Sequence, residues 1–348
     1  KKVLVAMSGG VDSSVAAALL KKAGFDVAGV YMKCWENENS ETGCPQLSDD
    51  EYIARRVAAK LKIPFYKFDF TQEYKQKVIG YFIREYAQGR TPNPDVMCNK
   101  EIKFGLFYEK AEALGFDFLA TGHYSQVKNE GFEVNLFQGE DPQKDQSYFL
   151  YAVAPERFKK IIFPIGKYYK AKIRKIAKAF GLPNAERKDS QGICFVGKVK
   201  LTDFLKNYIP EKSGKIITRD GKVLGEHQGV HFYTIGQRKG IKLPGGPYYV
   251  SGKDIKENLL MVTKDEKDLY KEELAAENIN WISRKKLKFP LKIKARIRSL
   301  GDLVPATLFK SQGTRYRLVF DQPQRAIAPG QSVVFYREKE LICGGIIK

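Results

Sequence analysis

No apolar run in the 348-residue chain approaches the roughly 20 residues needed to span a bilayer; stretches such as Val15 to Leu20 are far shorter. A transmembrane helix is excluded. The opening Lys1-Lys2-Val3-Leu4-Val5 runs into a strand-like segment without the apolar core or small-residue cleavage site of a secretory signal, so none is expected. Cysteine is scarce and irregular: the 5 residues stand at 34, 44, 98, 194 and 343, with no CxxC among them. An odd, unpatterned set argues against a disulfide scaffold and for a reducing compartment, so the cytoplasm is the expected location. Histidine is rarer still, with 3 residues. His227 and His231 are four apart without an evident third ligand, so no metal site is expected.

Acidic residues are also in deficit. Sixty Lys and Arg against 40 Asp and Glu leave a formal charge of +20, a field that attracts polyanions and makes nucleic acid the first partner to consider. The excess is concentrated between Arg284 and Lys348, where fifteen basic residues face four acidic ones. In Lys292-Ile293-Lys294-Ala295-Arg296-Ile297-Arg298 basic and apolar residues alternate with a period of two, which predicts a positive strand face over a core. Such a ribbon suits phosphate contacts, which carry affinity and salt dependence but little sequence information.

With 43% apolar and 29% charged residues the chain has a globular composition. Its length corresponds to two or three domains of roughly 150 residues. Val3–Met7, Val27–Met32, Phe65–Phe68 and Phe118–Thr121 read as strands. Ser13–Ala23, a segment from the capping box Ser48-Asp49-Asp50-Glu51 to about Leu61, Asn99–Leu114 and Lys170–Phe180 read as helices. Strands spaced by helices predict an α/β, doubly wound, mainly parallel sheet with its ligands at the carboxyl ends of the strands. Beyond Pro210, Gly-rich short β runs and an Asp220-Gly221 hairpin signal predict small β domains. Boundaries are expected near 205 and 275, giving segments 1–204, 205–275 and 276–348.

Ser8-Gly9-Gly10-Val11-Asp12-Ser13-Ser14 lies between the first strand and the first helix. Two glycines admit an anion close to the backbone, the hydroxyls donate to it, and the helix start adds its dipole. This is neither GxxxxGK[ST] nor GxGxxG. It resembles the SGGxDS loop of the PP-loop ATP pyrophosphatases, which implies cleavage of ATP between its α and β phosphates and adenylation of a substrate oxygen. Cys98 follows the Pro-rich Thr91-Pro92-Asn93-Pro94-Asp95 at an expected helix N-terminus, where thiolate formation is favoured. Cys194 sits in Gly192-Ile193-Cys194-Phe195. Spacing alone does not pair the two.

Together with Ala120-Thr121-Gly122-His123-Tyr124, Lys144-Asp145-Gln146-Ser147-Tyr148, Gly225-Glu226-His227-Gln228-Gly229, Tyr233 to Gly240 and Pro329 to Tyr336, these signatures resemble the tRNA-specific 2-thiouridylases over essentially the whole chain. The resemblance implies a PP-loop domain, a small mainly-β central domain and a C-terminal β-barrel. It implies that Cys194 accepts sulfur as a persulfide from a relay protein or desulfurase, and that Cys98 helps release it. Ala6, Met7, Ser8, Gly9, Gly10, Val11, Asp12, Ser13, Met32 and Gly122 are then expected to contact ATP, which enters with Mg2+. Asn93, Pro94, Asp95, His123, Lys144, Asp145, Gln146 and Gln331 are expected to face the tRNA, with Arg296 and Arg298 holding its body. Asp95 is the candidate proton carrier, or a helix cap. Neither an iron–sulfur cluster nor zinc is expected. Two rivals remain: an amidating PP-loop enzyme, which needs no cysteine pair, and an RNA-binding protein that takes ATP as a conformational ligand.

Overall fold

The computed structural model describes residues 1–35, 49–130, 133–188, 201–285, 287–311, 313 and 315–348. Strand β1 (Lys2–Ala6) is central in a parallel sheet with β2 (Asp26–Lys33), β3 (Phe65–Asp69), β4 (Phe118–Ala120) and β7 (Ile161–Ile162), in the order β3-β2-β1-β4-β7. Alternation along β1 serves two layers. Val3 and Val5 pack with Val15 of helix α1 (Val11–Lys22), with Ala54 and Val57 of α2 (Asp49–Leu61) and with Ile173 of the helix Lys170–Ala179. Leu4 and Ala6 face the opposite layer, which holds Phe82, Ile102 and Phe107. A strand covered on both faces has no polar side, which is why β1 reads as a continuous apolar run. The order of strands reverses between β1 and β4, so the crevice at their carboxyl ends is where such a sheet binds its ligand.

The helical run containing Cys98 differs from its expected start at Asn99. It begins at Pro94–Met97, widens into π-type turns over Cys98–Leu106, and returns to α-helix over Phe107–Ala113. Asn93 caps it and Pro94 occupies the first turn, a combination that moves the helix start one turn earlier.

A four-stranded sheet, β10-β11-β8-β9, follows. It comprises β8 (Gly214–Ile217), β9 (Val223–His227), β10 (Tyr249–Asp254) and β11 (Leu259–Thr263), around Ile216, Val250 and Leu260. The Asp220-Gly221 turn joins β8 to β9, with Gly221 at φ +85°. The remaining strands are β12 (Tyr270–Trp281), β13 (Leu291–Arg296), β14 (Val304–Lys310), β15 (Tyr316–Arg325), β16 (Ser332–Arg337) and β17 (Glu340–Ile347). They run β12-β15-β14-β13-β16-β17 and close through a β12–β17 pairing into a six-stranded antiparallel barrel. Strand β12 begins before the joint expected near 275 and runs through it. Cys343 lies fully buried in the barrel core, where burial pushes its thiol well above the usual value.

One pairing was not foreseen. The hairpin β5 (Ser125–Glu130) and β6 (Glu133–Gln138), which follows β4, extends the barrel sheet through Leu136 and Leu341. The ATP-loop half and the barrel thus share one β-sheet.

Candidate functional site

The loop after β1 is held from behind. Gly9 adopts φ +75°, and its carbonyl accepts from Asn184 Nδ2 (2.8 Å) and Arg187 Nη1 (3.2 Å). Arg187 also pairs with Asp50 at 2.6 Å. The Gly10 carbonyl accepts from Ser13 Oγ (3.2 Å) and Ser14 Oγ (2.8 Å). With those carbonyls tied back, α1 begins at Val11, Asp12 and Ser13 with Gly10 as its N-cap and no side chain capping it. A helix start without a capping side chain offers amide N–H groups and a positive dipole end to an anion. Gly122, at the end of β4, closes the crevice: a Cβ there stands 2.6 Å from Ser13 N. Ala6 and Met32, near the ends of β1 and β2, and Met7, just beyond β1, are buried behind the loop, and Ser8 is exposed at its tip.

Asp12 puts a carboxylate beside this anion seat, and two groups answer it. Lys170 Nζ lies 2.8 Å from both carboxylate oxygens, and Tyr124 OH donates to Oδ1 at 2.8 Å. Neutralising Asp12 removes its repulsion of a phosphate. Lys170, Tyr124, Asn184 and Arg187 were not among the expected site residues. Lys170 is 158 positions from Asp12 and Asn184 is 175 from Gly9, so no local spacing flags them.

Tyr124 connects this loop to a second one. Its backbone N–H donates to Gln146 Oε1 (3.0 Å), and its carbonyl accepts from Gln146 N (2.9 Å). Next to Gln146, Asp145 is buried and accepts from Gly139 N, Ser147 N, Ser147 Oγ and Gln138 Nε2. Lys144 is partly buried beside it.

At the third loop, Asn93 Oδ1 accepts from Asp95 N (3.1 Å) and Val96 N (3.3 Å), so the cap is Asn93 and not Asp95. Pro94 and Asp95 are partly exposed. Cys98 is fully buried one turn further in, inside the helical run and not at its N-terminus as expected. Asn99 Nδ2 donates to Phe149 O at 3.4 Å, tying this helix to the Gln146 loop. Phe104, two turns on, packs against the His123 ring at 5.6 Å.

Three expected tRNA contacts are interior. His123 is buried between Phe104 and Phe163, with Nδ1 2.6 Å from Thr121 Oγ1; burial, then Lys103, holds its pKa well below the ordinary histidine value. Asp145 has its five partners, the fifth being Arg296. Arg296 was expected on a solvent-facing ribbon. Lys292 and Lys294 of the same strand face are exposed, but Arg296 is buried, 2.7 Å from Asp145 and over the Tyr336 ring. The period of two is correct; the loop at residues 139–147 covers Arg296, the last of these positions within β13. Arg298 is exposed, with Nη2 donating to Arg325 O at 2.6 Å. Gln331 Nε2 donates to Thr91 O at 3.0 Å.

Cys194, with its flanking segment, and Cys44 lie outside the described residues. Of the histidines considered for a metal, His227 has both ring nitrogens engaged: Nδ1 accepts from Gly229 N and Nε2 faces Asn258 O. Among the described residues no group of three or more His, Cys, Asp or Glu is arranged to hold a metal ion, and no helix is long and apolar enough to cross a membrane.

Residues 1–198 match the family described as tRNA methyl transferase HUP domain, 202–264 the tRNA methyl transferase PRC-barrel domain, and 271–347 the aminomethyltransferase beta-barrel domain. A tRNA-specific 2-thiouridylase MnmA 2 of Geobacillus kaustophilus is 45% identical over 99% of this chain and 94% of its own length. The tRNA-specific 2-thiouridylase MnmA of Alkaliphilus oremlandii is 46% identical over 96% of this chain and 93% of its own. That of Nitrosomonas eutropha is 45% identical over 99% and 98%. With the anion-binding loop, the capped Asn93 helix and likeness along nearly its full length, the chain belongs to the tRNA-specific 2-thiouridylase family.

Proposed function

We propose that this protein is a tRNA-uridine 2-sulfurtransferase that uses ATP to replace the 2-oxygen of an anticodon wobble uridine with sulfur. The observation that carries the reading is the joining of the phosphate loop to the Cys98 helix by one short segment. Within Thr121 to Tyr124, Gly122 packs on the Asp12–Ser13 backbone, His123 on Phe104, and Tyr124 bonds Asp12. This supports the reading that the phosphate loop and the helix carrying Cys98 act on one substrate.

In this reading the N–H groups at the start of α1 bind the ATP phosphates, while Lys170 and Tyr124 keep the Asp12 charge compensated. Mg2+ accompanying the nucleotide would supply neutralisation of the phosphate charge. Uridine O2 attacks the α-phosphorus and pyrophosphate leaves. The terminal sulfur of a Cys194 persulfide then attacks C2, and AMP departs with the original oxygen. Cys98 attacks the Cys194 sulfur, releasing 2-thiouridine and leaving a Cys98–Cys194 disulfide for a thiol reductant to reopen. Asp95, partly exposed beside the Asn93 cap, is assigned the proton transfers as O2 is activated. The persulfide is supplied by a relay protein or a desulfurase.

The target base must leave its stack, at a cost of a few kcal/mol, and phosphate contacts elsewhere offset that cost. Exposed Lys292, Lys294 and Arg298 on the barrel are assigned to those contacts. Incubating unmodified tRNA, ATP, magnesium and a sulfide donor with the protein is expected to give pyrophosphate and 2-thiouridine by mass spectrometry. Pyrophosphate without 2-thiouridine, together with full activity on an amine donor, favours the amidating rival.

A further inference from the structure

The two groups that answer the Asp12 carboxylate both trace back to one loop, residues 141–146. At one end, Tyr124 OH donates to Asp12 Oδ1 at 2.8 Å, and the Tyr124 backbone is bonded both ways to Gln146, at 3.0 and 2.9 Å. At the other end, Lys170 Nζ lies 2.8 Å from both Asp12 oxygens, and the Lys170 backbone N–H donates to Asp141 Oδ2 at 2.9 Å. The ammonium also lies 5.9 Å from the centroid of the Tyr124 ring, so the two arms meet. The ring closes within the loop: Gln143 N donates to Asp141 Oδ1 (3.1 Å) and Lys144 N to Asp141 O (3.1 Å). Glu140 N donates to Gly166 O at 2.8 Å, which fixes the loop against the chain just ahead of Lys170.

Asp141 is 8% exposed, and each carboxylate oxygen takes a backbone N–H, one from its own loop and one from the start of the helix Lys170–Ala179. That helix has Tyr169 at its N-cap position with no capping side chain; a carboxylate 29 positions earlier takes that place. A buried carboxylate engaged by two amides offers no seat to an RNA phosphate, which it would repel. We infer that Asp141 is a positioning residue that couples the two substrates. It ties the start of the Lys170 helix to the loop carrying Lys144 and Gln146, so that tRNA held on that loop also holds Lys170 and Tyr124 on Asp12. Ordering already imposed by one ligand costs the second nothing, so each tightens the other by the same factor. The inference rests on the reading that ATP occupies the phosphate loop while tRNA faces Lys144 and Gln146. Its test reads binding, which the thiolation assay does not.

Asp141→Asn keeps the side-chain size and one carbonyl acceptor; Asp141→Ala removes both acceptors. Each is compared with the unaltered protein by calorimetric titration with ATP carrying a methylene bridge between its α and β phosphates, which resists cleavage there. Titrations run without tRNA and with saturating unmodified tRNA, beside hydrogen exchange at the amides of residues 141–146 and 170–173. The unaltered protein is expected to bind the nucleotide roughly five- to 150-fold more tightly with tRNA present, and tRNA is expected to slow exchange at Gln143, Lys144 and Lys170. In Asp141→Ala the ratio of the two nucleotide Kd values falls toward one and the Lys170 amide exchanges faster; Asp141→Asn lies between, and decides alone if the alanine variant does not fold. A merely structural role lowers the melting temperature and leaves the ratio as it was. A ratio of one or below in the unaltered protein, or its full ratio kept in the variants, overturns the inference. A weakened tRNA Kd with the ratio kept makes Asp141 a tRNA contact and overturns it too. Coupling that Asp141 controls in a protein that forms no 2-thiouridine sinks the sulfurtransferase reading and leaves the inference standing.

Discussion

Arg296 of the barrel and Asp145 of the ATP-loop half, 151 positions apart, form an ion pair at 2.7 Å with their side chains 9% and 1% exposed. The contact sits where the barrel sheet takes in the β5–β6 hairpin, and it ends a line of hydrogen bonds running from Asp12 through Tyr124 and the Gln146 loop.

Removing one partner of a buried pair leaves the other charge uncompensated. Arg296→Met is expected to lower unfolding stability by about 3–5 kcal/mol, and Arg296→Lys by less. Denaturant unfolding measures both, and an Arg296→Met change below about 1 kcal/mol sinks the assignment.

Exposed charges on the same barrel should behave differently. Lys292→Glu, Lys294→Glu and Arg298→Glu are expected to leave stability within about 0.5 kcal/mol. Each that meets a phosphate weakens tRNA binding and flattens the dependence of log Kd on log salt by somewhat under 1. Filter binding across a salt series gives the slope; an unaltered slope in the triple variant places the tRNA elsewhere.

Gly122→Ala drives a methyl group into the Ser13 backbone. Overpacking of this kind costs about 1–3 kcal/mol, so ATP affinity is expected to fall about tenfold or more while tRNA affinity stays. Calorimetric titration with ATP checks it, and undiminished affinity shows that the phosphates bind elsewhere.

Acid should destabilise the fold through His123 and His227, both held below the ordinary histidine value, chiefly by burial. As pH falls below about 6.5 the unfolded chain takes up protons that the folded chain refuses. This contribution is therefore complete above that pH and is lost as pH falls toward the folded values, at up to about 1.4 kcal/mol per group per pH unit. His123→Gln should lose less stability than the unaltered protein between pH 7.5 and 5.5 in urea melts; equal losses exclude His123 as a source.

Cys98→Ser is expected to retain tRNA-stimulated pyrophosphate release and lose 2-thiouridine, since adenylation precedes sulfur transfer in the proposed order. Pyrophosphate and nucleoside assays on one sample separate the steps. Normal thiouridine formation by this variant eliminates the role given to Cys98.

Local chemistry was legible in the chain alone. The phosphate loop announces itself because strand, paired glycines and helix start are consecutive residues, and backbone geometry over such a span follows from the residues within it. The alternation of Lys292, Lys294 and Arg296 likewise places three side chains on one strand face. Which of them meets solvent depends on a loop some 150 positions away, and only barrel closure decides that Arg296 is covered. The same holds for Cys98, whose helix starts at Pro94 and whose thiol is buried by packing against residues remote in sequence. Lys170 reaching Asp12 and Gln331 reaching Thr91 also pair groups with no shared period or spacing. Periodicity reports the face a residue takes on its own element; tertiary packing alone decides what that face touches.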